Sequence, residues 1–170
     1  MYLKRSIMKT ICFISSIKKD ENNKIYKNNI VMFDTIIIDI LLKIDFINII
    51  YLYNENTQKY LVEDLQNNFE NQKRVSFEVL YFDFPKTDLL VTDFSKMAYL
   101  YSLQTGNKSV VYTPFSNQPL SIQNQADFDF NRLFEYANSD KELIDIVISI
   151  LDKNIDNKEY INQQIKGALI

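Results

Sequence analysis

The stretch between residues 88 and 114 limits the fold more than any other part of the chain. Leu89, Leu90 and Val91 form an apolar run too short for a helix and suited to a buried parallel strand. Thr92, Asp93 and Ser95 follow at once, all residue types that cap helix N-termini. From Lys96 the pattern turns helical, and Gly106 closes it as a C-terminal glycine does. Residues 109–114 then read as the next strand. The turn sets hydroxyls and one lysine where a helix N-terminus offers free N–H groups and partial positive charge, a natural anion site. A plain capping role for the same residues stands beside that reading.

The rest of the chain repeats the unit. Residues 11–17 read as the first core strand, and 20–29 as a polar surface loop. Phe33, Ile36, Ile37, Ile40, Leu41 and Ile44 recur with helical spacing. Asp34, Thr35, Asp39 and Lys43 then fall on the opposite, solvated side, so Asp34 and Asp39 read as surface acids rather than a metal pair. Residues 47–53 are a second strand. Thr57 can cap a helix running to about Phe69, with Tyr60, Leu61, Leu65 and Phe69 inward. Residues 75–82 give a third strand, and 89–91 the fourth.

Residues 114–138 lack a period, with Phe128, Phe130, Phe134 and Tyr136 scattered through them. The stretch reads equally as a covering loop or a ligand-side flap. Ser139 and Glu142 have capping-box spacing, and Leu143, Ile144, Val147, Ile150 and Leu151 line the helix behind them. Residues 152–170 continue as a weaker, polar helix.

Strands alternating with helices specify an α/β fold. The expectation is a single Rossmann-like domain over residues 1–170, with 153–170 as a peripheral helical tail. Its sheet is mainly parallel, has about five strands and carries helices on both faces. In such sheets ligands bind beyond the carboxyl ends of the strands, where the Thr92–Ser95 turn would lie.

Composition removes several functions. A net charge of −3 with no basic stretch leaves no electrostatic footprint for nucleic acid. The chain has no histidine, so the commonest general base and metal ligand are missing, and no metal or other cofactor is implied. Two glycines exclude a Walker loop and a dinucleotide fingerprint. Cys12, the one cysteine, sits in an apolar run and reads as a buried structural thiol. Lys9 splits the apolar N-terminus and no small-residue cleavage site follows, unlike a signal peptide. No run approaches the length of a membrane span.

Asp88-Leu-Leu-Val-Thr-Asp-Phe-Ser95, an aromatic-rich helix and Gly-x-x-Ser-Val-Val-Tyr-Thr-Pro114 resemble the C-terminal half of the CDP-glycerol glycerophosphotransferases. These enzymes build teichoic-acid and capsule polymers. Asp127-Phe-Asp-Phe-Asn-Arg-Leu-Phe134 and Ser139-Asp-Lys-Glu-Leu-Ile144 extend the resemblance, which covers roughly residues 75–152. It implies one half of a two-domain GT-B arrangement. That half would hold a nucleotide-activated donor such as CDP-glycerol, with Thr92, Asp93, Ser95 and Lys96 near its phosphates. The reaction implied is direct displacement at phosphorus, with positioning and charge stabilisation as the protein's share.

The chain departs from the family pattern at four places. It lacks an N-terminal Rossmann half. Ile49-Ile-Tyr-Leu-Tyr-Asn54 stands where the family has Arg-Pro-His-Pro. Lys96 replaces the second serine of the turn, and Ala98-Tyr-Leu-Tyr101 lacks the expected acid. The resemblance therefore leaves the catalytic residues unassigned and implies a separate N-terminal transferase half as partner. It implies a cytoplasmic location; peripheral association with the inner face of the membrane enters only through the resemblance. A truncated or decayed transferase half, or a catalytically inactive nucleotide- or phosphate-binding interaction domain, are the alternatives. A regulatory domain with a flavodoxin-like sheet is a third.

Overall fold

The computed structural model describes residues 7–16, 27–93, 95–114, 132–153 and 156–168, with backbone only at 27–30, 55–60, 95 and 164–168. Its elements are β1 (Lys9–Ile14), α1 (Lys27–Leu42), β2 (Ile47–Tyr53), α2 (Glu55–Asn68), β3 (Val75–Val79), β4 (Leu89–Thr92), α3 (Ser95–Thr105), β5 (Ser109–Tyr112), β6 (Phe134–Ala137), α4 (Asp140–Lys153) and α5 (Lys158–Ala168). The six strands form one sheet in the order β3-β2-β1-β4-β5-β6. Every neighbouring pair is parallel. This is the Rossmann order, not the flavodoxin one, so the flavodoxin-like alternative falls on topology.

The sheet has six strands rather than about five. The extra one is β6, whose Phe134 and Tyr136 are among the aromatics that read as scattered. A strand of four residues leaves too short an alternation to register against its aperiodic surroundings. Phe128 and Phe130 lie outside the described residues.

β4 and β5 are buried at every position because both their faces are covered. On the first face, α1, α2 and α4 pack Ile37, Leu41, Leu65, Val147 and Leu151 against Ile11, Phe13, Ile49, Val91 and Val110. On the second, α3 sets Tyr101 against Cys12, Ile14 and Leu90, while Ala98 meets Val111, Phe134 and the Ile161 of α5. Helices cover both faces only in part. Residues 80–88 descend from β3 to β4 without a helix, contributing Leu80 and Phe84 to the second face. Ser76 and Glu78 of β3 are left exposed there, so the edge strand alternates while the central ones do not.

Gly106 ends α3 with φ at +77°, the left-handed conformation that glycine adopts freely. The expected continuous tail divides into α4 and α5. α5 is held by the buried Asn157, whose N–H donates to the Gly106 carbonyl at 2.8 Å and whose side-chain amide donates to the Arg132 carbonyl at 2.8 Å. Among the described residues, no helix is long and apolar enough to cross a membrane.

Candidate functional site: the crevice between β1 and β4

β1 and β4 are adjacent, with Ile14 opposite Thr92, yet their connections part. β1 leads to α1 on the first face, and β4 leads to α3 on the second. Divergence of two such connections opens a crevice at the carboxyl edge of the sheet. Ser15 and Ser16 follow β1 into it, and Asp93 follows β4.

The four residues singled out in the turn have different fates. Thr92 is 1% exposed and belongs to the sheet rather than to the crevice surface. The Asp93 carboxylate accepts two bonds from Ser16, from its backbone N–H at 2.6 Å and from its hydroxyl at 2.8 Å. Ser95 is the first residue of α3, and its side chain lies outside the described residues. Lys96 is exposed in the first turn of α3. The turn thus brings Asp93 to the end of β1 and leaves Lys96 and the α3 N-terminus facing outward.

Asp34 reverses the sequence expectation. It is 0% exposed and accepts from the Ser15 hydroxyl at 2.7 Å and the Tyr51 hydroxyl at 2.6 Å, both on Oδ2. The helix is rotated from the expected phase. Asp34, Ile37, Ile38 and Leu41 share the buried stripe, while Ile36 is 49% exposed. Asp34 already stood three, four and seven residues from those isoleucines and that leucine, so the signal was there and a charge was read as surface. Asp39 is exposed as expected.

Burial, reinforced by the Asp34 carboxylate, pushes the Tyr51 phenol well above its ordinary value near 10. Tyr51 is therefore a neutral donor at any physiological pH. Ser15, Ser16 and Tyr51 went unnoticed in the sequence because strand and apolar patterning absorbed them. The signal that could have found the serines is a pair of hydroxyls ending an apolar strand.

Further along the edge, Tyr112 donates to the carboxylate of Asp140, the first residue of α4, at 2.5 Å. This ties β5 to α4. Among the described residues, no group of three or more histidine, cysteine, aspartate or glutamate side chains could hold a metal ion.

No family model matches the chain, and no curated protein matches it. Solved structures do. One from Listeria monocytogenes, assigned as a UDP-N-acetylglucosamine 2-epimerase, superposes with a TM-score of 0.55 at 13% identity, over 96% of this chain and 45% of its own. The UDP-N-acetylglucosamine 2-epimerase of Neisseria meningitidis, solved bound to UDP-N-acetylglucosamine, gives 0.52 at 11% identity, over 97% and 45%. The chain thus spans less than half the length of either protein. What it shares with them is the fold: a Rossmann-type α/β domain built on a parallel sheet.

Proposed function

We propose that this chain binds the diphosphate of a nucleotide-activated sugar or polyol, as the donor half of a GT-B-type enzyme of cell-surface polymer synthesis. One observation carries the reading. The strand order puts the β4–α3 turn, and with it the start of α3, at the carboxyl edge where the connections diverge. The unpaired N–H groups of a first helical turn carry about half a positive charge, and Lys96 adds a full one beside them. A diphosphate answers both. The Neisseria structure, of the same fold, is bound to UDP-N-acetylglucosamine. CDP-glycerol is the donor to which the resemblance of residues 75–152 points.

On this reading the chain's own work is to bind and orient. The helix N–H groups and Lys96 hold the leaving nucleotide's phosphates and offset the charge that grows on them as the bond to the transferred group breaks. The base that activates the acceptor comes from a second Rossmann-type half across the cleft. The reaction would run in the cytoplasm, at the inner face of the membrane. A second reading, a catalytically inactive nucleotide-binding domain, draws on the same crevice. There is no histidine in the chain, and both crevice carboxylates are held by hydroxyl donors.

Calorimetric titration with UDP-N-acetylglucosamine, UDP, CDP-glycerol and CDP tests the reading. A nucleotide diphosphate should bind, and Lys96→Ala should weaken it about fivefold, as loss of one exposed charge–phosphate contact of roughly 1 kcal/mol does. The better of the uridine and cytidine series names the donor. No heat with any of the four from folded protein rejects the donor site. Turnover of a donor on adding a second half-chain would separate the transferase from the inactive domain.

A further inference from the structure

Asp34 is a fully buried carboxylate that the proposed binding does not use. Stability is a poor explanation for it, since buried carboxylate networks are often matched or bettered by apolar residues of the same volume. Its position says more. Consecutive residues of an extended strand point to opposite sides. Ile11 and Phe13 face α1, so Ser15 does too, and it reaches Asp34. Cys12 and Ile14 face α3, so Ser16 does, and it reaches Asp93 at the entrance to α3. Two carboxylates, one from each side of the sheet, hold two neighbouring serines at the crevice. Tyr51, packed edge-on to Phe13, braces Asp34 from β2.

We propose that Asp34 is a positioning residue of the crevice: through Ser15 it fixes the backbone of Ser16, and through Ser16 it sets Asp93 and the spacing between the end of β1 and the N-terminus of α3. The consequence for ligand affinity rests on the proposed diphosphate site; the positioning itself does not. Both serine bonds run to carboxylates, so they are of the stronger, charge-assisted kind. Ser15 and Tyr51 share one oxygen of Asp34, and a single amide oxygen could accept from both. Geometry, rather than negative charge, is then what the position supplies.

The test uses Ser15→Ala, Asp34→Ala, Asp34→Asn and Tyr51→Phe in the intact chain. The Ser16 amide hydrogen-exchange rate without ligand and the Kd for UDP are measured for each. Ser15→Ala and Asp34→Ala should each speed Ser16 exchange about tenfold and weaken UDP about tenfold. Asp34→Asn should restore both to near wild type. Tyr51→Phe should lower the melting temperature and leave both readouts within about twofold.

Ser16 exchange unchanged in Ser15→Ala, which is conservative enough to fold if Asp34→Ala does not, overturns the proposal. So does faster exchange with an unaltered Kd in a protein that binds UDP. If wild type binds no nucleotide diphosphate, the donor reading falls, and Ser16 exchange alone decides whether Asp34 positions this edge.

Discussion

Gly106→Ala is the sharpest probe of how α5 is held. At φ of +77° an L-residue costs about 1–2 kcal/mol more than glycine. Crowding adds to that. A Cβ built on Gly106 would lie 2.3 Å from Cγ of Lys158 and 3.0 Å from Oδ1 of Asp156. Cγ is one bond from the Lys158 Cβ, so relief requires either an off-rotamer lysine, at about 0.5–1.5 kcal/mol, or a shift of the start of α5. A shift would stretch the 2.8 Å bond from the Asn157 N–H to the Gly106 carbonyl.

The sum is about 1.5–3.5 kcal/mol, a fall in melting temperature of about 3–14 °C for a chain of this size. Lys158→Ala removes the crowded carbon and, being an exposed change, should cost under about 0.5 kcal/mol alone. In the Gly106→Ala background it should recover about 1 kcal/mol, because only the backbone strain then remains. Urea unfolding followed by circular dichroism gives all four stabilities. A Gly106→Ala protein within about 0.5 kcal/mol of wild type, or a double mutant showing no recovery, would refute the packing of α5 against this turn.

Three further outcomes follow from the core. Arg74 donates Nη2 to the Leu42 carbonyl at 2.7 Å and Nη1 to the Ile44 carbonyl at 2.8 Å, closing the end of α1. Arg74→Ala should therefore cost about 2–3 kcal/mol in urea titration, with lysine restoring only part because it lacks the planar fork. Burial pushes the Cys12 thiol up to about 12 and holds the Tyr51 and Tyr101 phenols above their usual range. All three stay protonated when folded and ionise when unfolded, so stability is full below about pH 9. It should fall above that by about 1.4 kcal/mol per pH unit for each group ionised in the unfolded chain. Maleimide labelling of the fully buried Cys12 at neutral pH should proceed no faster than global unfolding.

What could be read from the sequence depended on burial. β2 coincides with its expected span, and β4 and β5 lie within one or two residues of theirs, because interior strands show as mainly apolar runs, whereas β1 runs from Lys9 to Ile14 rather than over 11–17. β3 ends at Val79 rather than Phe82. The next residues leave the sheet to cross it, and Phe82 is 90% exposed. The capping box formed, with the Glu142 N–H donating to Ser139 at 3.2 Å, but the glutamate returns to the N–H of Asn138 rather than Ser139.

The break before α5 had a local sign that helical periodicity overrode. Asp156 accepts from the Lys158 N–H at 2.9 Å, the aspartate capping pattern. At the crevice, the turn was legible and its partners were not. Ser16 and Asp93 are 77 residues apart, and Ser15 and Asp34 are 19. The first contact exists only after β1 and β4 have paired, and the second only after α1 has packed beside β1.

The partnership of acids with hydroxyls bears on the proposed anion site. A bare carboxylate 4 Å from a phosphate would oppose binding by about 4 kcal/mol in a half-screened site, and Asp34 and Asp93 both lie near the proposed site. Neither is presented bare. Asp34 is sealed behind Ser15 and Tyr51, and Asp93 gives an oxygen each to the Ser16 N–H and hydroxyl. The negative charge is met by donors that follow β1 and by one on β2, so on the proposed reading the exposed Lys96 faces the ligand without a bare acid opposing it. On that reading Ser16 has a second effect besides the proposed positioning. Removing its hydroxyl would return negative charge to the anion's approach, so Ser16→Ala should weaken a diphosphate more at low salt than at high, whereas loss of shape alone would weaken it equally at both.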